Sequence, residues 1–137
     1  MDFKYNIEGG NFTKAGNASS EVKKILKQLN LNSQIIKRIV IALYEAEVNV
    51  VAHAHKGIMH VDISTDKIKI VIEDEGPGIP DIQMAMKEGF STASQKVREM
   101  GFGAGMGLPN IKKNSDKMEI TSEVDKGTIL TIETNFN

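Results

Sequence analysis

Apolar and polar positions change period several times along this chain, and each change predicts an element. Residues 3–8 alternate bulky and polar side chains as a half-buried strand does, and Gly9-Gly10-Asn11 closes the run as a turn. From Asn17 or Ser19 the apolar positions Val22, Ile25, Leu26 and Leu29 recur at helical spacing until the polar stretch 30–32. Ser33 is placed to cap a second helix, in which Ile36, Ile39, Val40, Leu43, Val50, Val51 and Ala54 recur at threes and fours until Lys56-Gly57 stops it. That helix is apolar on most sides and is expected to be buried. Residues 58–64 and 67–73 alternate with period two around Thr65-Asp66, which predicts a β-hairpin. Pro77, Gly78 and Pro80 then interrupt regular structure. A short helix over 81–87 precedes a polar segment, 91–99, that reads most simply as an exposed loop. Beyond a glycine-rich run come a short helix over 108–114 and a second hairpin, 117–124 and 128–134, turning at Asp125-Lys126-Gly127. Helices over one face of a mixed, mostly antiparallel sheet predict an α+β fold, a two-layer α/β sandwich, with residues 1–137 forming a single domain.

Composition narrows the function classes. A chain of 137 residues is long enough to bury roughly two thirds of its unfolded surface in one core. Basic and acidic residues nearly balance, 17 against 18, and no basic stripe with interleaved aromatics appears, so DNA or RNA is not expected as a direct ligand. The absence of cysteine excludes disulfides, thiolate metal sites and cysteine nucleophiles, and suits a reducing interior. His53, His55 and His60 are poorly spaced with carboxylates for a zinc site. Residues 1–5 carry no signal pattern and no apolar run approaches the ~20 residues that cross a bilayer, so a cytoplasmic protein without a membrane partner is expected.

Three groups of residues could carry chemistry. In Gly101-Phe102-Gly103-Ala104-Gly105-Met106-Gly107-Leu108 glycine occupies alternate positions, a spacing that suits neither a helix interior nor a packed strand. Such a loop can wrap phosphate oxygens with backbone amides, although glycine-rich runs also serve as plain linkers. Pro109 and the apolar anchors Leu108 and Ile111 open a helix directly after it, and amides at a helix start attract anions. Within the buried second helix, Glu45, Asn49 and His53 lie four apart on one stripe, drifting only about 40° per step. The stripe is either a solvated edge or satisfied network, or a carboxylate and an amide oxygen facing a cleft. An amide oxygen suits Mg²⁺, and a carboxylate one turn away can orient or deprotonate a hydroxyl. Glu47 points elsewhere and is assigned no chemistry. Finally, Asp74-Glu75-Gly76-Pro77-Gly78 follows the apolar Ile70-Val71-Ile72. It is either an ordinary turn or a sheet-edge carboxylate that accepts from an exocyclic amine such as that of adenine.

In their order, Glu45-Ala46-x-x-Asn49-x-x-x-His53-Ala54, Asp74-x-Gly76-x-Gly78 and Gly103-x-Gly105-x-Gly107-Leu108 together resemble the Bergerat-type ATP-binding domain shared by gyrase, Hsp90-type chaperones, histidine kinases and MutL. The resemblance covers nearly the whole chain. Within that superfamily it is similar to the free-standing bacterial anti-sigma regulatory factor and serine/threonine protein kinase family. Residues 74–92, with Gly-Pro-Gly-Ile-Pro-Asp-Ile and Glu88-Gly89-Phe90-Ser91-Thr92, resemble its switch-kinase branch in particular. The resemblance implies that Glu45 is the catalytic base or hydroxyl-orienting group and that Asn49 binds Mg²⁺. It implies that Asp74 holds the adenine amino group, with Gly76 and Gly78 beside the base and Thr128 assisting. Gly103, Gly105 and Gly107 would donate amides to the phosphates, with Leu108 completing the box. Residues 91–99 would form a lid whose Lys96 or Arg98 reaches the phosphates or a partner, and His53 would make an orienting hydrogen bond. Gly101 is an extra glycine before the usual pattern, which lets the phosphate-touching set shift by one step.

The activity so implied is a Mg·ATP-dependent protein kinase that phosphorylates a serine or threonine on a small antagonist protein in a partner-switching pathway. The alternative is a binding module, an anti-sigma factor or complex-assembly switch that holds a sigma factor when loaded with ATP. A histidine-kinase catalytic domain is disfavoured, because only about 30 residues precede the second helix. The Phe3 to Ile7 strand is a candidate exposed edge, and monomer and homodimer both stay open.

Overall fold

The computed structural model describes residues 1–87 and 107–137. Five strands form one sheet: β1 (Asp2–Glu8), β2 (Lys56–Ile63), β3 (Lys67–Glu75), β4 (Lys117–Glu123) and β5 (Gly127–Asn135), in the order β1-β2-β3-β5-β4. Every pairing is antiparallel, so the parallel component of the expected mixed sheet is absent among the described residues. β1 lies at one edge, as its sequence suggested, and β4 at the other.

The two-residue periodicity decides which face is buried. Register aligns Phe3, Val61, Ile70, Ile132 and Met118 in one row and Tyr5, Met59, Ile72, Leu130 and Ile120 in the next. Both rows pack into the core, whereas Lys4, His60 and Glu119 of the intervening row face outward and are exposed.

Three helices cover the inner face: α1 (Asn17–Gln28), α2 (Ser33–His53) and, after the short α3 (Ile82–Ala85), α4 (Gly107–Lys113). Val22 and Leu26 of α1, Ile39 and Leu43 of α2 and Ile111 of α4 are all fully buried. Each such side chain stabilises the fold by about 1.5–3 kcal/mol relative to exposure.

The helix ends follow capping chemistry more closely than periodicity. Asn32, rather than Ser33, caps α2, its Oδ1 accepting from Gln34 N–H at 2.8 Å. The same helix ends at His53 instead of running on to Lys56-Gly57: Ala54 turns extended, and Lys56 and Gly57 already belong to β2. Asn30 terminates α1 at φ 55°, the left-handed position that asparagine tolerates best after glycine. Asp81 caps α3 by accepting from Met84 N–H at 3.0 Å.

Candidate functional site

The predicted stripe exists. Glu45, Asn49 and His53 lie on one side of α2, each half-buried, and the start of α4 closes on it. Asn110 Nδ2 donates to Glu45 Oε1 at 3.4 Å. A Cβ on Gly107 would stand 2.8 Å from Asn49 Oδ1, so glycine keeps the space before that amide open. Among the described residues the Asn49 amide has no hydrogen-bond partner. An amide oxygen in such a cradle is a hard donor. Mg²⁺ keeps several waters and takes one or two protein oxygens together with substrate phosphates, so the residues present fit that ion. Burial lowers the His53 imidazole below its ordinary 6.5, which keeps the ring neutral at physiological pH.

Asp74 stands at the end of β3, where the start of β5 crosses it. Thr128 N–H donates to Asp74 Oδ1 at 3.0 Å. Burial raises the carboxyl above its ordinary 3.8, and the Thr128 amide pulls the opposite way. Among the described residues no donor reaches the second oxygen, Oδ2. Thr128 therefore sits beside Asp74, as expected, but it is the backbone that makes the contact; its hydroxyl pairs with Ser122 Oγ at 2.8 Å.

The segment after β3 is sewn onto the β4–β5 turn. Gly76 N–H donates to the Lys126 carbonyl at 3.2 Å, Asp125 N–H to the Pro77 carbonyl at 2.9 Å, and Ile79 N–H to Ser122 Oγ at 2.7 Å. Glycine is required at two points here. Gly78 has φ +74° and a Cβ would meet the Glu123 carbonyl, while a Cβ on Gly76 would lie 3.0 Å from Ala54 Cα at the end of α2. Through that close approach, and through His55 N–H donating to the Glu75 carbonyl at 2.7 Å, the Asp74 corner is joined to the His53 end of the stripe.

Of the sequence-predicted residues, the fold thus gathers Glu45, Asn49, His53, Asp74, Gly76, Gly78, Gly107 and Thr128 around the C-terminal half of α2. Leu108 is buried in the core and anchors α4. Gly101, Gly103, Gly105, Lys96, Arg98 and the lid segment 91–99 lie outside the described residues.

Three contributors escaped the sequence reading. Asn110 and Ser122 carried no local signal. Glu47, assigned no chemistry, is buried at 2% exposure and accepts four hydrogen bonds from the start of α1. A signal for it did exist: Leu43, Val50 and Val51, one turn before and after it, are all apolar, so a carboxylate there needed dedicated donors.

Comparisons with known proteins agree with this architecture. The profile of the family described as "Histidine kinase-like ATPase domain" matches residues 11–134. The serine/threonine-protein kinase RsbT of Bacillus subtilis (strain 168) is 34% identical over 110 residues, covering 77% of this chain and 77% of its own. The anti-sigma F factor of Thermoanaerobacter sp. (strain X514) is 32% identical over 138 aligned positions, covering 95% of this chain and 93% of its own. Among solved structures, the RsbU and RsbW domains of Rv1364c from Mycobacterium tuberculosis align with TM-score 0.63 at 12% identity over 98% of this chain; the match spans 32% of that longer chain. The mycobacterial sensor histidine kinase MprB aligns with TM-score 0.54 at 16% identity, over 98% of this chain and 97% of its own. At those identities the two structures speak for the fold alone. With its five-stranded antiparallel sheet, its overlying helices and a profile match along most of its length, the chain belongs to the histidine kinase-like ATPase domain family.

Proposed function

We propose that this chain is an ATP-dependent serine/threonine protein kinase that phosphorylates a small antagonist protein in a partner-switching system. The observation that carries the reading is the face of α2: a carboxylate and, one turn on, an amide that has no hydrogen-bond partner among the described residues, opposite a glycine that keeps the space before the amide clear. In this reading Asn49 holds Mg²⁺, which when bound neutralises phosphate charge. Asp74 Oδ2 accepts from the adenine amino group, and Gly103, Gly105 and Gly107 donate backbone amides to the phosphates. Glu45, steadied by Asn110, orients the acceptor hydroxyl. Its carboxylate takes the hydroxyl proton as the oxygen bonds to the γ-phosphorus and the bond to the bridging oxygen of ADP breaks. Most of the acceleration then comes from positioning and charge stabilisation rather than covalent chemistry. The RsbT relative, named a serine/threonine-protein kinase, supports the activity.

The test uses ATP labelled at the γ-phosphate, incubated with the protein and the proteins it captures from its native extract. Glu45→Ala should still bind ATP by calorimetry yet transfer no label; undiminished transfer by that variant refutes the role. A second reading is favoured by the anti-sigma F relative, which covers more of this chain than RsbT does. There the domain is an ATP-dependent binding module for a sigma factor. Co-elution that requires ATP, without label on the partner, selects that reading over the kinase.

A further inference from the structure

The end of α1 and the beginning of α2 border a groove of about 560 Å³, on the half of α2 away from Glu45 and Asn49. Its base is apolar, with Ile36 buried and Leu31 and Val40 half-buried, while the exposed Lys23, Lys27 and Lys37 form its rim. The charge here departs from that of the chain. Residues 17–41 carry Lys23, Lys24, Lys27, Lys37 and Arg38 against Glu21 alone, in a protein whose overall formal charge is −1. Two of those cations are engaged, Lys24 with Glu21 at 3.6 Å and Arg38 with Asp116 at 3.3 Å. The three on the groove rim have no ion pair among the described residues. Unpaired ammonium groups around a low-dielectric floor focus a positive potential into the concavity.

The chemistry of the lining selects among anionic ligands. Among the described residues no aromatic side chain lines the groove, so they offer no stacking platform of the kind single-stranded nucleic acid uses. Its apolar residues are recessed beneath the lysines rather than protruding, which is the reverse of a surface that inserts into lipid. A recessed apolar floor with a cationic rim instead complements a helix that presents apolar side chains at i, i+3 and i+4 and carboxylates on either flank. We propose that the α1–α2 groove docks an acidic amphipathic helical segment of a protein partner. Because α2 also carries Glu45 and Asn49, the docked segment lies along the helix that forms the nucleotide-site stripe. Lys37 and Asn49 are separated by about 18 Å of helix, so the groove and that stripe can be occupied together.

The test uses the full chain and a fluorescein-labelled helical peptide of Leu and Glu, with Leu at i, i+3, i+4 and i+7. Its controls are the same peptide with Lys for Glu and with Gln for Leu. Binding of the Leu/Glu peptide should move the amide resonances of Leu31, Ile36 and Val40 and weaken as salt rises past about 0.1 M. The Lys23→Glu, Lys27→Glu, Lys37→Glu variant should lose at least about tenfold in affinity. The corresponding Lys→Gln variant, which removes charge without adding repulsion, should lose less while keeping the native circular dichroism spectrum. Resonance shifts confined to other residues, unchanged affinity in the charge-reversed variant, or equal binding of the Gln-for-Leu peptide would each overturn the proposal. So would tighter binding of duplex DNA or of phosphatidylserine vesicles than of the Leu/Glu peptide at the same groove.

Discussion

Glu47 and Ser19 are joined twice in the interior: Oε1 of Glu47 accepts from the Ser19 backbone amide at 2.9 Å and from its hydroxyl at 2.7 Å. The other carboxylate oxygen accepts from Gly16 N–H at 2.9 Å and Ala18 N–H at 3.3 Å. The first amides of a helix have no partner within it, and α1 carries no side-chain cap of its own. A carboxylate from α2 supplies the cap across the core, where the positive end of the α1 dipole also favours it.

Replacing Glu47 should therefore be costly although it holds no place on the stripe of Glu45, Asn49 and His53. Glu47→Gln turns one acceptor into a donor facing other donors, and the expected loss is about 2–4 kcal/mol of unfolding free energy. Urea denaturation measures it. A loss under about 0.5 kcal/mol, the range of ordinary surface substitutions, would show that the clamp is dispensable.

Asp74 should tie nucleotide affinity to pH. Because burial raises its carboxyl above 3.8, protonation sets in at a higher pH than for an ordinary aspartate, and the protonated oxygen no longer accepts from an amine. ATP affinity is expected to fall with acidification, from a higher pH than an ordinary aspartate would impose. Asp74→Asn should weaken ATP binding by about ten- to a hundredfold and abolish that pH dependence. The sign for stability is the opposite. A raised folded-state value means that ionisation opposes folding, so Asp74→Asn should leave the unliganded protein at least as stable at neutral pH. Calorimetric titration across pH, with urea midpoints for the apo protein, checks both.

For His53 the folded-state value is lowered. The unfolded chain then binds the proton more tightly than the folded one. Stability should decline as pH falls through the ordinary imidazole value of about 6.5 toward the lowered folded one, below which the loss is complete. His53→Gln should flatten the urea midpoint over that interval; an identical slope in the variant assigns the effect elsewhere.

Gly107 separates binding from folding. Alanine is favoured over glycine in helix interiors by about 0.8–1.0 kcal/mol, and Gly107 lies in α4. Yet the added Cβ would crowd Asn49 Oδ1 at 2.8 Å. Gly107→Ala should unfold no more readily than wild type and still bind Mg·ATP at least about tenfold more weakly, a 1.4 kcal/mol effect. Unchanged Mg·ATP affinity would refute the proposed metal-binding role of Asn49.

Much of this fold can be read from local pattern. The period-two runs that became β1 to β5, the helical spacing of α1 and α2, and the stripe of Glu45, Asn49 and His53 all follow from side-chain direction along a strand or helix. The chemistry-bearing motifs were legible for the same reason, since each lies within one element or one turn. Boundaries were less so: Asn32 displaced Ser33 as cap because its side chain reached Gln34 N–H, and β2 claimed Lys56 and Gly57 through pairing with Glu75 and Asp74. What no local pattern specifies is which distant groups meet. Asp74 and Thr128 are 54 positions apart, Glu45 and Asn110 are 65, and Ser19 and Glu47 are 28. Those pairs arise because pairing β3 with β5 and packing the helices on one sheet face bring backbone and side-chain donors to acceptors that would otherwise go unpaired. The sequence by itself thus determined the elements and singled out the candidate residues for nucleotide chemistry. The tertiary structure alone decided that Glu47 caps α1, that Thr128 meets Asp74 through its backbone, and that three lysines ring an apolar groove.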